Sequence, residues 1–248
     1  MLKNENPILS EEESLDDLIL GDLQVIQSTR GYRFSLDAVL LAHFSAPSQQ
    51  QVVELGAGSG VISLIMAWRA PQASFTLIEI QPAMVERASR SIVLNGLEER
   101  IKVFAGDIRE IENIMPRGCA DLVVSNPPFW KKGEGKVSSN REEAIARHEL
   151  DLNLEELVQK GAYLLRQGGK MDIIHRAERL DEAMEFFRRY KMPVRKLRLI
   201  HSFIDREARL VLIEAEKNRP GPMLVLPPLI IYDKVGEYGQ ELRAMYNR

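Results

Sequence analysis

Asn126-Pro127-Pro128-Phe129 places a side-chain amide, two rigid residues and an aromatic ring in consecutive positions. The run before it, Ala120-Asp121-Leu122-Val123-Val124, reads as a buried strand. Two successive prolines cannot continue a helix interior or a central strand, so regular structure ends here. An amide and a ring are thus held just past a strand end. The pairing suits a flat polar group whose hydrogens the amide accepts and whose face the ring covers.

A second constellation is Val52-Val53-Glu54-Leu55-Gly56-Ala57-Gly58-Ser59-Gly60-Val61. A buried strand ends at Leu55, glycines stand at 56, 58 and 60, and a helix begins. In this context glycines let the backbone approach a ligand at the C-terminal edge of a sheet. A dinucleotide fingerprint, G-x-G-x-x-G, needs its third glycine at position 61, which is valine. The next strand ends at Glu79 and Ile80, where a carboxylate binding ribose hydroxyls is expected. A third strand is followed by Asp107 and Ile108, an acceptor for an amino group and an apolar surface for a ring. All four stretches follow successive strands, so they fall on one edge of one sheet.

The elements that must position them alternate along the chain. Strands are expected over 51–55, 75–80, 101–104, 121–125, 170–174, 195–201 and 208–214. Helices are expected over 36–44, 61–68, 82–95, 153–166 and 179–190, with Gly168-Gly169 closing the fourth. A polar loop fills 130–148. Two short strand-like runs, 23–26 and 32–34, flank a Thr-Arg-Gly turn, behind a loose acidic lead-in. Strands separated by helices predict a mostly parallel sheet covered on both faces, seven-stranded, with the last two strands as an antiparallel edge hairpin. The expected organisation is a lead-in with short strands over 1–30, one α/β domain over 31–218, and a tail over 219–248 packed on it.

Composition narrows the function classes. Of 248 residues, 45% are hydrophobic and 28% charged, which is globular, and the net charge of −3 denies the chain an overall basic footprint. Contact with nucleic acid then has to be local. Lys131, Lys132, Lys136, Arg141 and Arg147 form one basic group, and Arg188, Arg189, Arg195 and Lys196 a second. A single cysteine, Cys119, excludes an internal disulfide and a cysteine metal site, and fits a reducing compartment. Met1 to Glu5 shows no apolar leader and no stretch matches a membrane span, so a cytoplasmic monomer with neither metal nor membrane contact is expected. His43, His175 and His201 lack ligand spacing and are assigned no chemistry; Trp68 and the methionines read as core or near-core.

Glu54 with its three glycines resembles motif I of class I S-adenosylmethionine-dependent methyltransferases, and Asn-Pro-Pro-Phe resembles their signature for methylating a planar nitrogen. Residues 31–44 (GYRFSLDAVLLAHF), 54–64, 124–130, 146–150 (ARHEL), 228–233 (PLIIYD) and 236–246 (GEYGQELRAMY) extend the resemblance over nearly the whole chain. Together they are similar to the bacterial enzymes that methylate N6 of adenine 37 in valine tRNA. The resemblance implies the class I methyltransferase fold, S-adenosylmethionine as cofactor and tRNA as partner. It implies that Asn126 and the Pro127 carbonyl hold the amine, with Pro128 for rigidity and Phe129 stacked on the base. It further implies that Arg33, Phe34, Ser35 and Asp37 lie over the methionine end of the cofactor, and that Glu54, Gly56, Gly58, Gly60, Glu79, Ile80, Asp107, Ile108 and Asn126 complete its site. Related motifs serve guanine N2 in ribosomal RNA, DNA adenine N6 and a release-factor glutamine amide. Those enzymes usually carry a duplicated or additional domain that this chain has little room for. A non-catalytic RNA-binding module on the same fold is the alternative from another class.

Overall fold

The computed structural model describes residues 9–18, 20–31, 33–46, 50–129 and 152–246. Strands β1 (Glu13–Asp17) and β2 (Gln24–Ser28) form a hairpin ahead of helix α1 (Leu36–Phe44). Then come β3 (Gln51–Leu55), α2 (Val61–Arg69), β4 (Ser74–Glu79), α3 (Pro82–Leu94) and β5 (Ile101–Ala105). A short α4 (Ile111–Ile114) leads to β6 (Ala120–Ser125). After residue 151 follow α5 (Leu154–Leu164), β7 (Leu165–Arg176), α6 (Leu180–Arg189), β8 (Val194–His201) and β9 (Ala208–Glu216). The tail adds β10 (Leu224–Val225), β11 (Leu229–Ile230), β12 (Tyr232–Lys234), β13 (Glu237–Tyr238) and α7 (Gln240–Tyr246).

Strands β5, β4, β3, β6 and β7 lie side by side and parallel. Antiparallel β9 pairs β7, and β8 pairs β9, giving the expected hairpin. The sheet is wider than the seven strands expected, at nine among the described residues, because β10 and β11 both add in parallel to β8. Both faces are buried, which is why the central strands read as continuous apolar runs. Val52, Val124 and Ile174 face α1 and α2, while Val53, Val123, Met171 and Ile173 face α5 and α6. The tail is tied to the first of these cores through Leu229, Ile231 and Leu242.

Three departures from the sequence reading have identifiable causes. β2 pairs with β1, Leu15 opposite Ile26, and residues 33–35 join no strand. Long-range bonds fix that register. Asn95 Oδ1 accepts from the Gln24 amide at 3.0 Å, and its Nδ2 donates to the Gln24 carbonyl at 2.7 Å. Ser91 Oγ accepts from the Ile26 amide at 2.9 Å, and Arg90 Nη2 reaches Glu13 Oε1 at 2.5 Å. Second, Gly168-Gly169 sits inside β7 rather than closing α5. Leu165 pairs Ala120 but Lys170 pairs Leu122, so the chain bulges there, with Gly168 at φ +70°. Third, Trp68 is 38% exposed, its ring lying against Gly21 at the rim of the core. The polar loop expected over 130–148 lies outside the described residues.

Ser91→Ala removes the acceptor for a buried β2 amide. It should destabilise the protein by about 1–3 kcal/mol in urea unfolding, the cost of an unpaired buried donor. An unchanged midpoint would show that the hairpin does not depend on α3.

Candidate active site

At the C-terminal ends of the parallel strands a cleft is lined by Phe34, Glu54, Gly56, Gly58, Glu79, Ile80, Asp107, Ile108 and Asn126–Pro128. Its position follows from the topology: β3, β4, β5 and β6 all deliver their following loops to one edge.

The glycine loop is strapped to the end of β4. The Gly56 amide donates to the Ile78 carbonyl at 2.9 Å, and the Gly58 amide to Glu79 Oε2 at 2.8 Å. Glu79 Oε1 accepts from the Gln81 amide at 2.9 Å, so this buried carboxylate is oriented by backbone on both sides. Gly58 and Gly60 adopt φ +55° and +78°, a region that other residues enter at a cost. A Cβ on Gly60 would also stand 3.2 Å from Leu77. Gly60 therefore shapes the turn into α2 without lining the cleft.

Glu54 is 1% exposed at the cleft floor. Its Oε2 accepts from the amide and the hydroxyl of Ser63, and its Oε1 has no partner among the described residues. Burial, with a smaller contribution from the nearby Glu79 charge, pushes this carboxyl up to about 8. Asp107 is held below its ordinary range, chiefly by the Arg109 guanidinium bonded to it, and caps the turn that follows β5.

The opposite wall begins where β6 stops. Ser125 Oγ donates to the Leu55 carbonyl at 2.7 Å, extending the β3–β6 contact one residue beyond their paired ladder. Asn126 then lines the cleft, and its Oδ1 is buried with no partner among the described residues. Pro127 is buried, and Phe129 stands against His175 at 5.6 Å between ring centroids.

The other expected residues divide. Phe34 lines the cleft, its amide donating to Gln27 Oε1 at 3.0 Å. Ser35 donates to Asp37 at 2.9 Å at the start of α1, outside the cleft wall, and burial raises the Asp37 carboxyl. Arg33 is exposed and turned to the N-terminal hairpin, bonded to Ser14 and Asp16. In the second basic group Arg189 pairs Glu155 and Glu185, Lys196 pairs Glu214, and Arg195 donates to the Arg219 carbonyl. The first basic group lies outside the described residues. Gln81, Met84 and Leu152 also line the cleft and were missed in the sequence, because a polar, a sulfur and an apolar side chain on helix flanks carry no motif. Cys119 is half-buried, with burial raising its thiol. Among the described residues no cluster of three or more His, Cys, Asp or Glu could hold a metal, and no helix is long and apolar enough to cross a membrane.

The donor set fits a nucleoside bearing a cationic amino-acid end. Glu79 is presented at a strand end, Ile80 and Ile108 offer apolar surface, and Glu54 Oε1 is uncommitted, on a carboxyl that a neighbouring cation would favour in its ionised, accepting form. Glu54 also makes a test of its own burial. Between about pH 4.5 and 8 the folded protein holds a proton on Glu54 that the unfolded chain has lost, so this group's contribution to stability falls as pH rises through that window. Glu54→Gln should abolish that part of the slope. The gap between wild type and variant in urea unfolding should thus shift in the variant's favour from pH 5 to pH 8. A gap independent of pH would contradict the protonated carboxyl.

Comparison with known proteins bears on the same edge. A protein of Porphyromonas gingivalis named tRNA1(Val) (adenine(37)-N6)-methyltransferase is 29% identical, covering 84% of this chain and 85% of its own length. One of the same name from Dyadobacter fermentans is 27% identical, covering 84% and 87%. In fold, the chain is similar to the crystal structure of a predicted O-methyltransferase from Agrobacterium tumefaciens, with a TM-score of 0.69 at 22% identity over 85% of this chain and 95% of that one. The family model described as methyltransferase small domain matches residues 36–196, and so takes in the glycine loop, Glu79, Asp107 and Asn-Pro-Pro-Phe together. The chain belongs to that family: it is a methyltransferase, and its cofactor is S-adenosylmethionine.

Proposed function

We propose that the protein methylates the exocyclic N6 amine of an adenine in tRNA, and that this adenine is position 37 of a valine tRNA. The observation that carries the reading is Asn126 Oδ1, a buried acceptor in the cleft wall with no partner among the described residues. A buried acceptor left open is costly unless something fills it. An amine hydrogen fills it. The names of the Porphyromonas and Dyadobacter relatives support adenine in tRNA as the class of acceptor.

Bound S-adenosylmethionine supplies a methyl group on a positively charged sulfur. In this reading Glu79 would hold the ribose hydroxyls, Asp107 the adenine amino group, and Glu54 the cationic amino-acid end. The acceptor amine is a poor nucleophile because its lone pair is delocalised into the base. The Asn126 side-chain carbonyl and the Pro127 backbone carbonyl each accept one of its hydrogens. That draws the nitrogen toward tetrahedral geometry and aims its lone pair across the cleft. Pro127 and Pro128 keep both acceptors fixed before the base arrives, so catalysis here is positioning and electrostatics. Phe129 stacks on the base. A base in an anticodon loop is unpaired, so turning it toward Phe129 costs less than from a duplex. Lys131, Lys132, Lys136, Arg141 and Arg147, which follow Phe129 in sequence, supply phosphate contacts in this reading. The group around Arg189 and Lys196 is already engaged by carboxylates.

Asn126→Ala should lower the single-turnover rate of transfer to saturating tRNA by on the order of 10²–10³, the loss typical of one preorganised polar contact. Asn126→Asp, which keeps an acceptor, should be milder, and cofactor affinity should change far less than the rate. A wild-type rate for Asn126→Ala would reduce Asn-Pro-Pro-Phe to a stiff loop and remove the reading's main support.

A further inference from the structure

Strand β7 carries a histidine where its neighbours are apolar. Alternation puts Met171, Ile173 and His175 on one face, and the first two belong to the core under α5 and α6. His175 is fully buried with them. Its Nδ1 accepts from the Arg176 amide at 2.8 Å, which places the proton of the neutral ring on Nε2. Burial, and the Arg179 charge after it, hold the imidazolium form down to about pH 3, so the ring is neutral throughout the physiological range.

The register places this ring with some precision. Ser125, the last residue of β6, is opposite Ile173. His175 therefore lies two residues further along the same face, beside the chain that leaves β6 as Asn126-Pro127-Pro128-Phe129. The Phe129 ring meets it at 5.6 Å between centroids and 55° between planes, a favoured tilted arrangement. Nε2 has no hydrogen-bond partner among the described residues. The contact His175 makes at the site edge is with Phe129, and the strand beneath it is anchored on both sides, by β6 and by β9 with Val211 opposite.

We propose that His175 is a positioning residue for methyl transfer: its ring, fixed on the sheet, holds Phe129 in the plane in which the acceptor base stacks. This rests on the reading of Phe129 as the stacking surface. Phe129 leaves the sheet on a loop and has no strand pairing of its own, so a neighbour on a rigid strand sets its orientation. The role requires a flat ring at 175 and does not require its proton.

The test is a double-mutant cycle on methyl transfer to tRNA, with cofactor affinity measured beside it by calorimetry. His175→Leu keeps an apolar side chain of similar bulk and removes the ring. It should lower kcat by roughly tenfold with cofactor affinity unchanged, the scale of one aromatic pair. His175→Phe, which restores a ring, should return kcat to within a few-fold of wild type. Because His175 acts through Phe129, adding His175→Leu to Phe129→Leu should cost nothing further. Additive effects in the double variant, or equal kcat for His175→Leu and His175→Phe, would overturn the proposal. If Phe129→Leu alone leaves transfer intact, the stacking reading itself has failed, and the inference falls with it.

Discussion

The Ser125 hydroxyl donates to the Leu55 carbonyl, and this one buried bond joins the two chain segments on which the chemistry depends. Leu55 is the last residue before the glycine loop, and Ser125 is the last before Asn126. Their strands are parallel neighbours, and neighbouring strands run about 4.8 Å apart. The glycine loop and the Asn126 amide are thus separated by little more than one strand spacing. A hydroxyl at position 125 takes over where the ladder between β3 and β6 ends. Both loops can then diverge from a common fixed point, and the cleft opens between them.

The second constraint is the placing of carboxylates. Glu54 and Glu79 stand at the ends of adjacent strands and are both buried. One backbone amide donates to each oxygen of Glu79, from the glycine loop and from the start of α3, so the carboxylate is oriented and ties the loop, and a carboxylate oxygen has room for more than one hydrogen bond. Glu54 is only half satisfied, by Ser63, and burial, more than the nearby Glu79 charge, raises its carboxyl above the ordinary range. The fold tolerates one incompletely paired carboxyl in the lining of the cleft. Asn126 repeats the pattern with a neutral acceptor on the other wall. Orphaned polar atoms cost stability, and here two of them face one cleft.

Much of this was readable from the sequence because the informative segments are local. β3 is bounded by Gln51 and Leu55 as its apolar run predicts, and α3 begins at Pro82, where a proline belongs. What the sequence concealed is held together over long separations. β1 looks like acidic coil; it becomes a strand because Glu13 meets Arg90, and because Ser91 and Asn95 take up the backbone of its partner β2. Gly168-Gly169 signals a helix end in sequence, yet a bulge absorbs both glycines within β7. The tail strands are two or three residues long, too short for any periodicity to register. Within the site, the glycines, Glu79, Asp107 and Asn126 announced themselves through motif spacing. Met84 and Leu152 did not, since an apolar wall residue has no signature. His175 looked idle for the same reason: its meaning comes from the residue it touches, 46 positions earlier in the chain.

The central claim is that this cleft brings a methyl donor to the amino group of an adenine in RNA. The most direct measurement incubates the purified protein with S-adenosylmethionine carrying a labelled methyl group and bulk tRNA prepared from cells lacking the protein, and resolves the product into nucleosides. The account predicts label in N6-methyladenosine and in no other nucleoside. Label in a methylated guanosine, or transfer to a release factor or ribosomal RNA in preference to tRNA, would contradict it.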